Sequence, residues 1–202
     1  MVVGLLLSMF QQFVGINVVL YYAPEIFKSM GSSTDTSLLQ TIIVGAVNLT
    51  FTVLAILTVD KFGRKPLMII GALGMSLSMF ALGSAFFFES MGIGALIFML
   101  VYVASFAMSW GPVTWVLLSE IFPNKIRGRA MALAVAFQWV SNYLVSVTFP
   151  MMDKNSYLIE KFNHGFSYWI YGVMGILAML TVWKFVPETK GKSLEDMEKI
   201  LD

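Results

Sequence analysis

What most constrains this chain is its succession of apolar runs, each about twenty residues or longer, separated by short charged turns. A run of that length crosses the hydrocarbon core of a bilayer as a helix. Backbone N–H and C=O groups find no water there, so each run must satisfy its own hydrogen bonds. The fold class expected is therefore an all-α integral membrane protein. Composition agrees, since 12% of the residues are charged against roughly 25% in a soluble domain.

Six spans can be drawn, over about 2–28, 37–59, 67–88, 93–119, 129–149 and 166–186, giving a six-helix transmembrane domain over 1–186. Residues 187–202 follow as a charged cytoplasmic tail, in which the spacing of Leu194, Met197 and Leu201 suggests a short surface helix. A kink is expected at Trp110-Gly111-Pro112 inside the fourth span. No basic flank or small-residue cleavage pattern accompanies the first run, which reads as a retained span. Orientation follows from Lys and Arg: ten fall in the connections after the second, fourth and sixth spans, and three (Lys28, Lys154, Lys161) on the other side. Both ends are then expected in the cytoplasm of a multi-pass plasma (inner) membrane protein.

Within the spans, the polar residues are informative by type. Gln11, Gln12 and Asn17 lie midway along the first run, Asn48 near the centre of the second, and Gln138 and Asn142 one turn apart in the fifth. Trp115 follows the helix-weakening Gly111-Pro112, and Trp139 follows Gln138. An amide offers donors and acceptors without charge, and an indole adds a flat apolar face with one donor. That equipment suits a neutral ligand with many hydroxyls. The same amides also suit a plainer role as interhelical glue. On a straight helix Gln11 and Gln12 are about 100° apart, with Asn17 about 120° away on the other side. Either the helix breaks near Gly15 or the amides serve more than one neighbour. No carboxylate, Lys, Arg or His lies near a span centre, which argues against an ion pathway or proton relay within this chain. It also leaves an intramembrane enzyme without a titrating group, so no catalytic residue is assigned and an enzyme is not expected.

At the charged turns, Asp60, Arg64 and Lys65 are placed to pair with Glu120, Arg127 and Arg129 as a cluster that forms in one conformation and breaks in another. His164, the single histidine, sits in a polar loop. The absence of cysteine excludes disulfides and thiolate metal sites, and a net charge of +1 argues against nucleic acid as a partner. Neither metal nor cofactor is expected.

Five motifs occur in register: Gln11-Gln12-x-x-Gly15-x-Asn17-x-x-x-Tyr21-Tyr22, Asp60-x-x-Gly63-Arg64-Lys65, Gly111-Pro112-x-x-Trp115, Glu120 with Arg127-Gly128, and Pro187-Glu188-Thr189-Lys190-Gly191. Together they resemble the carboxy-terminal six helices of sugar porters in the major facilitator superfamily. The resemblance implies that Gln11, Gln12, Asn17, Trp115 and Gln138 bind a monosaccharide. It makes Tyr21 part of the outer closure, has Asn48 and Trp139 line or border the cavity, and puts Arg64, Glu120 and Arg127 in the cytoplasmic gate. Family members have twelve spans in two halves, with the proton-linked carboxylate in the amino-terminal one. A sugar–proton symporter half working with a complementary amino-terminal half is therefore expected. The alternative is a membrane module that folds but does not transport by itself.

Overall fold

The computed structural model describes residues 1–90 and 92–191. The regular structure of the described residues is all helical: α1 (Val2–Phe13), α2 (Ile16–Ser29), α3 (Thr34–Phe62), α4 (Arg64–Phe87), α5 (Ile93–Met108), α6 (Trp110–Ile121), α7 (Arg127–Asp153), α8 (Ser156–Phe162) and α9 (Gly165–Phe185). With α1–α2 and α5–α6 each taken as one interrupted helix, six elements of 21 to 29 residues are long and apolar enough to cross a membrane. The expected surface helix around Leu194, Met197 and Leu201 lies outside the described residues.

Local chemistry sets the boundaries. The Ser33 hydroxyl accepts from the Thr36 N–H at the start of α3, and the Asn155 side chain accepts from the Leu158 N–H at the start of α8. Between α3 and α4 a single residue, Gly63, makes the turn at φ +89°. The connection drawn from sequence over Met151 to His164 is largely helical, since α7 runs on to Asp153 and α8 fills most of the rest. Pro150 lies inside α7 and takes the i−4 donor away from the Ser146 carbonyl. That carbonyl instead accepts from the Tyr22 hydroxyl at 3.3 Å, so the helix continues.

α4 is the packing centre, lying against α9 on one side and α5 on the other. Lipid tails are as apolar as leucine, so helices here associate through close contact between small residues. Gly83 meets Gly165 backbone to backbone, Gly175 faces the Ser76 side chain, and Gly71 faces Ser109. A methyl group at Gly83 would come within 2.9 Å of the Gly165 carbonyl and closer still to the Trp169 indole. Among the described residues, the largest fully buried side chains include Trp110, Tyr102, Tyr168, Phe27 and Phe86. α3 is peripheral, with only Ser37, Val44 and Ala55 buried.

Candidate functional site

Two helix breaks lie side by side and build the site. The first separates α1 from α2 at Gly15, whose φ of +91° is the left-handed region that glycine enters at least cost. Tyr171 packs against the Gly15 backbone so closely that any Cβ would sit about 2.8–3.0 Å from its ring. The neighbouring Val14 carbonyl accepts from the buried Tyr102 hydroxyl at 2.7 Å. The second break, at Ser109, separates α5 from α6. Pro112 cannot donate to the Met108 carbonyl, which weakens the helix one turn upstream of the proline itself.

Gln11 joins the breaks. Its amide NH₂ donates to the Trp110 carbonyl at 2.9 Å and to the Gly111 carbonyl at 3.3 Å. Two acceptors on that side fix which end of the amide faces them. Its Oε1 is therefore turned away, and it has no hydrogen-bond partner although the residue is only 3% exposed. Gln12 (6% exposed) accepts from the Asn17 side chain at 2.5 Å, so these two amides orient one another across Gly15. Both outcomes anticipated for this stretch occur: the helix breaks, and the amides serve different neighbours.

These residues line a cavity of about 270 Å³ together with Tyr21, Trp115, Gln138, Trp139 and Asn142. The Gln138 side chain makes no hydrogen bond among the described residues, and its Oε1 is a second buried acceptor without a partner there. Asn142 sits 3.5 Å from the Tyr21 hydroxyl and accepts from Ser146. Trp115 is 40% exposed, and Tyr21 and Trp139 are more so. The polar lining is thus amides, indoles and one phenol, with no ionisable acid or base apart from that phenol. Asn48 lies on α3 outside this lining, with its backbone carbonyl accepting from Thr52. Ile16, Leu20 and Phe106 also line the cavity and were not picked out from the sequence. Ile16 and Leu20 flank the amides on α2, whereas Phe106 carried no signal.

At the opposite end of α6 lies a charged cluster. The Arg64 guanidinium, its side chain 13% exposed, contacts Asp60 at 2.8 Å and Glu120 at 2.9 Å. Thr189 donates to the other Glu120 oxygen at 2.6 Å. The Glu188 carboxylate accepts the Arg64 and Lys65 backbone N–H groups, each at 3.1 Å, and so caps α4 where the helix dipole favours a negative charge. The turn between α3 and α4, the end of α6 and the stretch after α9 are thereby joined. Lys65 takes part through its backbone. Arg127 donates from Nε to the Phe122 carbonyl at 3.3 Å and leaves a buried Nη2 unpaired; no ion pair forms at Arg127 or Arg129 among the described residues. His164 starts α9 and its Nδ1 lies 2.9 Å from Asp153.

Known proteins share this sequence pattern and fold. The chain is 72% identical over 199 residues to the D-xylose-proton symporter of Escherichia coli strain K12, covering 98% of this chain and 40% of that protein. It is 52% identical over 197 residues to the glucose facilitated diffusion protein of Zymomonas mobilis, covering 98% and 42%. A solved proton:xylose symporter bound to 6-bromo-6-deoxy-D-glucose superposes with a TM-score of 0.90 at 72% identity, over 100% of this chain and 42% of that one. The chain therefore spans about two fifths of the length of these relatives, and its six membrane elements correspond to the carboxy-terminal half of a twelve-helix transporter. The family of sugar (and other) transporters matches residues 1–201, and this multi-pass membrane protein belongs to it.

Proposed function

We propose that this chain provides the main sugar-binding face of a sugar–proton symporter, with D-xylose the first sugar to test. The observation that carries the reading is the pair of unpartnered acceptors, Gln11 Oε1 and Gln138 Oε1, on residues that line one amide- and indole-rich cavity. A buried acceptor without a donor is costly, and a sugar hydroxyl supplies that donor. Asn17 and Gln12 complete the polar contacts, and Trp115 offers its exposed face to the C–H side of the ring. Tyr21 closes the outer side, and Trp139 borders the cavity.

The partner is a complementary amino-terminal six-helix half, which brings the proton-linked carboxylate that the cavity lining lacks. Exposed aromatic and aliphatic residues of α7, among them Trp139, Val140, Tyr143 and Leu144, form the face that meets it. Residues 1–186 make the membrane domain and 187–202 lie in the cytoplasm, as does the amino terminus. The Asp60–Arg64–Glu120 cluster, with Arg127 nearby, is the cytoplasmic gate. The test is D-xylose uptake into vesicles by this chain alone and together with the complementary half. Uptake that requires both is the expected result. Failure of the pair to bind D-xylose, glucose or arabinose overturns the sugar-site reading.

A further inference from the structure

We propose that a second cavity, on the other side of α2, binds a small organic cation. It encloses about 170 Å³ between α2, α7 and α9, at the end of the bundle away from Arg64. Tyr21 lines the amide cavity and the next residue, Tyr22, lines this one, so the two sites are separated by the body of α2.

Three observations define the ligand chemistry. The first is Tyr168, which is only 1% exposed, lines the cavity, and makes no hydrogen bond among the described residues. A phenol buried to that extent normally has a partner, and here the cavity is where one can sit. The second is charge. Glu25 on α2 and Asp153 on α7 both line the cavity. Glu25 has no ion-pair or hydrogen-bond partner among the described residues, and Asp153 commits one oxygen to His164 and keeps the other. Lys154, exposed at the rim, is the one basic residue in the lining, so two carboxylates face one ammonium and an anion is disfavoured. The third is the aromatic wall. Tyr22 and Phe149 have ring centroids 5.4 Å apart, and Phe149 and Tyr168 are 6.2 Å apart in edge-to-face contact. Tyr168 stacks one face on Phe86 at 4.8 Å, and aromatic rings beside carboxylates are how proteins hold alkylated ammonium groups. The Ser29 hydroxyl, the remaining polar side chain of the lining, is already donated to the Ile26 carbonyl.

The probe is choline, compared with its uncharged isostere in which carbon replaces nitrogen, titrated into the full chain in lipid nanodiscs and read by saturation transfer to the methyl groups. Choline is expected to bind at least about fivefold more tightly than the isostere, the ratio a cation–π contact of ordinary size provides. Glu25→Gln, at an exposed position, and Asp153→Asn should each weaken choline several-fold. Saturating D-xylose should leave choline affinity unchanged. Equal binding of the two probes, no choline binding, unaltered affinity in Glu25→Gln, or displacement by D-xylose would each overturn the proposal.

Discussion

Gln11 and Gln138 are both expected to touch the sugar, yet truncating them should have different consequences. Gln11 holds two carbonyls at the α5–α6 break through its NH₂, while its Oε1 is left for a ligand. Gln11→Ala therefore removes a structural contact and a binding contact together. The Trp110 and Gly111 carbonyls lie in the first turn of α6, where helical N–H groups remain as donors, and Trp110 also keeps the Thr114 hydroxyl at 2.7 Å. The structural loss is therefore that of ordinary net hydrogen bonds, about 0.5–1.5 kcal/mol. The Gln138 side chain makes no hydrogen bond within the described protein, so Gln138→Ala should change stability by no more than about 0.5 kcal/mol. For both, losing one net hydrogen bond to the sugar is worth about 0.5–1.5 kcal/mol, or roughly two- to twelvefold in affinity. The assay is sugar affinity by calorimetry, with melting temperature recorded for each variant, in the chain combined with its complementary half. The expected pattern is weaker binding in both variants, with a lowered melting temperature only in Gln11→Ala. Normal sugar affinity in Gln138→Ala would refute the reasoning, because no structural contact is available to account for that amide otherwise.

Trp115→Ala should weaken sugar binding at least as much as either amide truncation, since it removes stacking area as well as a donor; calorimetry that shows unchanged affinity would reassign Trp115 to packing. Cysteines introduced at Ser32 and Asn155 should react with a membrane-impermeant reagent outside intact cells, and one at Lys65 should not; the reverse pattern would invert the orientation. Glu120→Ala leaves Arg64 with Asp60 alone and frees Thr189, so in the two-half transporter it should shift the balance of inward- and outward-facing states several-fold. Sugar affinity measured in a conformationally locked state should stay nearly constant, and its collapse would place Glu120 in the binding site instead of the gate.

The spans were legible because bilayer thickness dictates the length of an apolar run, and few sequence patterns imitate one. The breaks were legible only in part. Gly15 announces a permitted break, but the observed φ of +91° is held by Tyr171 against its backbone and by Tyr102 on the Val14 carbonyl, both far away in sequence. Pro112 announces a kink, yet the helix parts at Ser109, because the donor a proline lacks belongs to the turn before it. Pro150 carries the same local signal and ends nothing, Tyr22 donating from another helix to the carbonyl it frees, and Pro24 likewise lies inside an unbroken α2. One residue type thus has opposite consequences that its local sequence does not announce.

The site divides in the same way. That amides and indoles gather around a neutral cavity was legible from residue type, because no charged side chain lies near a span centre. The use of each atom was not: Gln11 commits its donor to the fold while its acceptor has no partner among the described residues, so one amide is not confined to a single role. Glu188 and Thr189 show the complementary limit. Their motif was visible, but a carboxylate that caps a helix more than a hundred residues earlier in the chain is a fact of three-dimensional proximity. The cap has a mechanical consequence that no pairwise count of surface charges would reveal. By holding the start of α4 through Glu188 and the end of α6 through Thr189, the stretch after α9 ties the Arg64–Glu120 contact to a third segment. Any motion that separated α4 from α6 would then have to break the hold of that segment on at least one of the two helices as well as the Arg64–Glu120 contact, so three segments, and not one ion pair, resist it.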